Sequence, residues 1–357
     1  MRFLKSNEIR LGMRLAKPIY NESGVLLYSR DTIINDSVLA NIKNLHTYGQ
    51  YILEPAEPLP PMTEEELEFE RFTTVSSYIL KEDLLALING EHTKNINSLA
   101  NSICENYGNL SHKINFIQNL RNSEDGVFKH CLNTAILCAL IAHKMDFDTK
   151  EQHSLVMAAF YHDLGKLLVA PEIMNKTDSL SVNELNIIHN AELKGFDLIK
   201  NNYSISAGIR RYIAQLYIDL CNRLPSHPKQ SQTLLTGTKI LKIADMFDTL
   251  TAMRVYKDPV SEFSAIKHLF SEENVYDEKI VQALAESINI LPVGCCVELT
   301  NGEKGLVIDE NKYYVLRPRV LAFNTNTIYD LGMKKTYQEI QIKDIMKTMD
   351  NRFVMKM

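Results

Sequence analysis

Residues 161–176, YHDLGKLLVAPEIMNK, set a histidine beside an aspartate within an apolar run. The stretch just before them, SLVMAAFY from Ser154, is apolar on every side of a helix, which marks a segment buried on all faces. Burying an unpaired carboxylate costs several kcal/mol. Asp163 therefore needs a partner: a metal ion, the nearby Lys166, or a hydrogen-bond network. Lys166 follows His162 by four residues and, in a continuous helix, shares its face.

Outward from this run, helix signals dominate from Thr63 to about Asn289. Thr63 and Glu66 form the pattern of a capping box, and Ser181 with Glu184 repeats it. Breaks at Asn89-Gly90, around Tyr107 and in RNSEDG, ending at Gly126, divide the region into antiparallel helices. On the amino-terminal side, RLAKPIY and GVLLYS read as short strands, SVLANIKNL as a helix and QYILE as a strand. PAEPLPPMT, with its clustered prolines, reads as a stiff linker. From Leu291 the period changes to two, and Asn301-Gly302 between alternating runs predicts a hairpin with both turn residues at positive φ. KYYVLRPRVLAF predicts two further strands around Pro318. The expectation is a mainly α protein with a helical bundle core. A small β-containing module spans 1–54, a linker 55–62, a helical connector 63–122, the helical core 123–290 and a β-rich unit 291–357.

The 357 residues carry a formal charge of −5 and no Lys/Arg-rich run. A nucleic acid polymer or an acidic membrane is thus an unsuited partner. No segment has signal-peptide form and no run approaches the ~18 apolar residues needed to cross a bilayer, so a cytoplasmic protein is expected. The six cysteines lack disulfide or zinc-knuckle spacing and read as reduced packing residues.

Four places in the helical region share one oddity, a metal-ligating side chain in apolar surroundings: His130, His162 with Asp163, His189, and Asp245. His130 lies in VFKHCLNTAILCALIAHKM, with Leu137 and Ile141 on its general face. Asp245 borders the stripe formed by Ile240, Ile243, Ala244, Phe247 and Leu250. Asp248, one turn on, reads as a solvated helix-surface charge. Imidazoles and carboxylates converging from separate buried helices would satisfy one another through a divalent ion, and mixed ligation of this kind suits Mn, Fe or Zn more than Ca.

HDLGK, the upstream His130, and ADMFDTLTAMRVYK together resemble the HD superfamily of metal-dependent phosphohydrolases. Within it they look like the HD-GYP branch, which hydrolyses cyclic di-GMP. The resemblance covers about residues 123–290 and implies an HD-type helical bundle. It implies that His130, His162, Asp163 and Asp245 hold one metal, Mn or Fe ahead of Zn, that Asp163 can bridge to a second ion, and that His189 belongs to that second ion. Lys166, Arg254 and Lys257 would meet the ligand's phosphates or bases, and Asp163 and Lys166 would serve catalysis. As structural alternatives, His189 reads as a core histidine, Lys166 as an ion-pair partner of Asp163, and Arg254 and Lys257 as a basic helix end.

The branch also has a His-His-Glu followed by Gly-Tyr-Pro. Here the chain reads LYIDLCNRLPSHPKQ: Leu216 and Tyr217 stand where two metal-binding histidines belong, Ile218 replaces the glutamate, and Gly-Tyr-Pro is missing. His227 lies ten residues too late, and Gly126 stands where some members carry a further acidic ligand. The expectation is one tightly held metal and cyclic di-GMP hydrolysis that is greatly reduced or absent, in a signalling module that binds cyclic di-GMP, another phosphate ester, protein partners or a second copy of itself. The alternative is an active single-metal phosphohydrolase acting on a nucleotide or other phosphate ester.

Overall fold

The structure is a computed structural model; it describes residues 2–44, 49–53, 62–116, 118, 125–176, 178–222, 233–252 and 259–346. The amino-terminal module comprises β1 (Arg2–Lys5), β2 (Arg14–Leu15), β3 (Ile19–Tyr20), β4 (Leu26–Tyr28), α1 (Asp36–Asn44) and β5 (Gly49–Leu53). Its strands form a β1-β5-β2 sheet and a β3-β4 hairpin. Leu4, Leu15, Ile34, Val38, Ile42 and Ile52 close a small core of its own. An ion pair from Lys17 to Glu70, at 2.8 Å, ties the module to the next helix. The proline-rich linker expected at 55–62 lies almost wholly outside the described residues.

The helical region runs through α2 (Glu64–Ile88), α3 (Ile96–Tyr107), α4 (Gly126–Lys144), α5 (Thr149–Tyr161), a 3-10 turn (Leu164–Leu168), α6 (Pro171–Met174), α7 (Val182–Lys200), α8 (Ala207–Asn222), α9 (Thr236–Thr251), α10 (Glu262–Ser271) and α11 (Glu278–Ala285). Both capping boxes form, Thr63 with Glu66 and Ser181 with Glu184. They satisfy backbone N–H groups that a helix start leaves without partners.

The centre of the bundle is α4, in which every residue from His130 to Ala142 is buried. Helices α2, α3, α5, α9 and α11 pack around it. Because α2 and α3 share one apolar core with α4 and α5, these two helices of the expected connector are a structural wall of the bundle. Among the described residues α4 is the one helix long and apolar enough to cross a bilayer, and 78% of that apolar stretch is buried inside the protein. Polar residues such as His130, Asn133 and Thr134 hide this length from a scan for unbroken apolar runs.

The carboxy-terminal unit holds β6 (Cys296–Leu299), β7 (Lys304–Asp309), β8 (Arg319–Ala322), β9 (Ile328–Asp330), α12 (Lys334–Glu339) and β10 (Ile342–Ile345), in the antiparallel order β10-β6-β7-β8-β9. Val297, Leu299, Val307, Val320 and Ile342 join the helical core, so this sheet is seated on the bundle. The Asn301-Gly302 hairpin forms, yet only Gly302 takes positive φ, +84°. Gly302 N–H donates to the Leu299 carbonyl and Leu299 N–H to the Glu303 carbonyl, giving a longer hairpin loop than the two-residue type. Only the half of KYYVLRPRVLAF after Pro318 is a strand. The half before it turns, with Arg317 N–H bonded to the Tyr314 carbonyl and its guanidinium over the Tyr314 and Tyr337 rings.

Candidate metal centre

The polar pair in YHDLGK does not sit inside a helix. Helix α5 ends at Tyr161, His162 closes it, and the chain tightens into the 3-10 turn after Asp163. That break turns His162 and Asp163 toward α4 and α9. It also changes the reading of Lys166, which reaches Asp163 Oδ2 with Nζ at 2.6 Å across three residues of the 3-10 turn. The partner alternatives raised by the sequence thus coexist at Asp163: a lysine beside it and imidazoles in front of it.

A close approach fixes this turn. A Cβ on Gly165 would lie 2.4 Å from the Ala191 carbonyl oxygen and 2.5 Å from the Glu192 Cα, and one on Gly195 would lie 2.3 Å from the Gly165 nitrogen. Only glycine at both positions lets α7 rest directly on the backbone behind Asp163.

Four side chains from three places converge. His130 Nε2 lies 3.2 Å from His162 Nε2, 3.1 Å from Asp245 Oδ1 and 3.4 Å from Asp163 Oδ2. His162 Nε2 lies 3.8 Å from both Asp163 Oδ2 and Asp245 Oδ1. His162 Nδ1 is 2.7 Å from the Ala159 carbonyl oxygen, which can only accept, so Nδ1 carries a proton and Nε2 is the ring atom that faces the cluster. His130 Nδ1 is 2.6 Å from Asp248 Oδ2, with the same consequence for its Nε2.

Two imidazole lone pairs and two carboxylates facing one point repel one another unless a cation stands between them. Burial favours neutral carboxyls, but the charges around them win. Lys166 and the two histidines bring Asp163 down to about 2. Bonds to His130 and His162 hold Asp245 well below the ordinary range. Burial likewise opposes charge on His162, yet Asp163 raises its pKa well above the usual imidazole value. The site is anionic and holds a positive charge, as a proton or a metal. The donor atoms of His130, His162 and Asp245 all lie within 4.8 Å of one another; Asp163 stands outside this group of three but has its Oδ2 3.4 and 3.8 Å from the two histidines. Protein nitrogen and oxygen ligands sit about 2.0–2.2 Å from a transition-metal ion, so neighbouring donors are about 2.8–3.6 Å apart in octahedral or tetrahedral shells. The separations seen fall in or just outside that range, and the residues fit a divalent ion.

The remaining candidates are placed differently. His189 is not in the close donor group; its ring lies against Tyr217 of α8, planes 6° apart and centroids 6.3 Å apart. Phe196 stacks on the same Tyr217 at 4.7 Å. Leu216 packs against the apolar core. Arg254, Lys257 and His227 lie outside the described residues.

Asp248 overturns its reading as a solvated charge: it is fully buried. Besides His130, it accepts from Asn133 Nδ2 at 2.8 Å and from Gln118 Nε2 at 3.1 Å. A signal was present in the sequence. Ile240, Ala244, Asp248 and Thr251 follow one another at helical spacing, so Asp248 lies on the buried stripe of α9 rather than beside it.

Residues 109–280 match the family model of the HD domain. This region is similar to HD domains, and the curated relatives that it resembles are named as cyclic-dinucleotide phosphodiesterases. The chain is 24% identical over 213 residues to "Cyclic di-GMP phosphodiesterase PA4108" of Pseudomonas aeruginosa, covering 57% of this chain and 49% of that protein. It is 22% identical over 185 residues to "Cyclic di-GMP phosphodiesterase PdeB" of Borreliella burgdorferi, covering 50% and 48%. It is 25% identical over 169 residues to "3'3'-cGAMP-specific phosphodiesterase 2" of Vibrio cholerae, covering 46% and 32%. The chain thus spans about half the length, or less, of these curated relatives. Among solved structures, an HDGYP protein of Bdellovibrio bacteriovorus superposes with a TM-score of 0.45 at 15% identity, over 79% of this chain and 97% of that one.

Proposed function

We propose that this protein is an HD-GYP-type signalling module that holds one divalent cation, Mn or Fe ahead of Zn, on His130, His162, Asp163 and Asp245. In this reading it binds cyclic di-GMP or a related phosphate ester and hydrolyses it slowly or not at all. The observation that carries the reading is the contrast between two places in the bundle. At one, His130 Nε2 lies 3.1–3.4 Å from donor atoms of His162, Asp163 and Asp245. At the other, Leu216 packs against the apolar core and the Tyr217 ring lies parallel to the rings of His189 and Phe196.

A bound cation supplies Lewis-acid charge to a phosphoryl oxygen, and two-metal phosphodiesterases use a second ion to hold the other in-line oxygen. Here the chain's own residues do the following. His130 and His162 present Nε2, each with its proton held on Nδ1 by Asp248 and by the Ala159 carbonyl. Asp163 and Asp245 stay anionic at neutral pH. Lys166 stays protonated, since Asp163, Asp245 and Glu192 outweigh its burial, and its ammonium is the positive group beside Asp163 that a phosphate would meet. Leu216 has no lone pair for a second ion.

The test is calorimetric titration of the Mn-loaded protein with cyclic di-GMP, paired with product analysis. The expected result is binding that weakens in Asp163→Ala, with little or no product. Metal-dependent turnover abolished by Asp163→Ala would instead establish the single-metal phosphohydrolase.

A further inference from the structure

We propose that Asp248 is the positioning residue of the metal centre, holding His130 in the tautomer that leaves Nε2 free to bind a cation. The inference rests on the four-residue metal reading above and adds a residue that does not touch the ion. Asp248 Oδ2 faces His130 Nδ1 at 2.6 Å. Its Oδ1 receives the Asn133 amide at 2.8 Å and the Gln118 amide at 3.1 Å.

Donation through this network runs in one direction. The Thr251 hydroxyl donates to the Phe247 carbonyl, Gln118 Nε2 donates to Thr251 Oγ1 at 2.7 Å, and Asn133 Nδ2 donates to Gln118 Oε1 at 3.1 Å. Asn133, Asp248 and Thr251 are buried. Asp248 stands at the receiving end, with three donors among the described residues converging on its two oxygens, which suits a carboxylate and not an amide. A carboxylate on the far nitrogen of a metal-binding histidine fixes both ring orientation and tautomer, and loss of such a partner typically lowers metal affinity about 10- to 100-fold.

Asp248→Asn keeps the shape and breaks the logic. The amide has one oxygen for three donors. With that oxygen kept on Asn133 and Gln118, its NH2 faces His130 Nδ1, which must then accept, and the ring proton moves to Nε2, the ligating atom. Adding Asn133→Asp returns a carboxylate to the network from the other side. In the double variant the amide at position 248 can then donate to position 133 and turn its oxygen back to His130.

The experiment titrates Mn or Zn into the wild type, Asp248→Asn and Asp248→Asn/Asn133→Asp, and reads the His130 ring by 15N NMR in the Zn-loaded wild type. The expected result is a roughly 10- to 100-fold weaker metal affinity in Asp248→Asn, recovery to within several-fold in the double variant, and a downfield, exchange-protected Nδ1 proton in the wild type. Equal affinity in the wild type and Asp248→Asn, or no Nδ1 proton on His130 in the wild type, overturns the proposal. Should the wild type bind no metal at all, the four-residue reading falls first, a result distinct from a wild type that binds and a variant that binds equally. The NMR arm needs no variant and decides the matter even where Asp248→Asn fails to fold.

Discussion

The ring of Tyr217 lies parallel to that of His189, 6° between planes with centroids 6.3 Å apart. An aromatic side chain therefore occupies the neighbourhood where the HD-GYP resemblance calls for metal-binding imidazoles, and His189 is engaged with it. On this geometry we propose that His189 is a packing partner. His189→Ala should leave the metal content of the protein unchanged and lower stability by about 0.5–1.5 kcal/mol, the range for an aromatic pair. Elemental analysis beside chemical denaturation checks both halves. Loss of metal in this variant would return His189 to the ligand set.

The contact of Gly165 with α7 gives a second expectation. A methyl group at Gly165 meets backbone, the Ala191 carbonyl and the Glu192 Cα, neither of which can rotate away. Gly165→Ala should cost about 1–3 kcal/mol as an overpacking substitution, read as a lower denaturation midpoint. Because the same turn carries Asp163 and Lys166, its displacement should also weaken metal uptake. An unchanged midpoint would mean that α7 is not held against this turn.

The start of α7 supplies a pH dependence. Lys176 first, then the Ser181 backbone and hydroxyl, hold the Glu184 carboxyl at about 2, below its ordinary value of 4.5. A carboxyl with a depressed folded pKa stabilises the fold fully above its unfolded pKa, and that contribution is lost as pH falls through the folded one. Amide protection factors at Val182–Leu185 should be constant from pH 7 to about 5 and decline from about 4.5 toward 2. Glu184→Gln should flatten the profile across that window.

Much of this was legible in the residues because chemistry and periodicity coincide there. His130, His162, Asp163 and Asp245 stand out as polar groups in apolar helices, and the structure brings them together. The capping residues Thr63 and Ser181 act through near neighbours, and their pattern suffices. What depends on tertiary contact did not show. Helix α5 stops at His162 because the turn behind it fits against α7 through Gly165 and Gly195, a contact between segments some thirty residues apart. Asp248 looked like a surface charge because its donors among the described residues come from α4 and from Gln118, which lies outside any helix. Likewise, the resemblance assigns His189 to a second ion and the residues leave a core histidine as the alternative, and only the α7–α8 packing places its ring parallel to that of Tyr217.

The central claim is a single cation shared by His130, His162, Asp163 and Asp245. Its most direct test is the metal-to-chain ratio of the purified protein, measured by elemental analysis for the wild type, Asp163→Ala and Asp245→Ala. One divalent ion per chain in the wild type, with its loss in both variants, is the predicted result. A wild type without metal, or variants that retain the full amount, would contradict it.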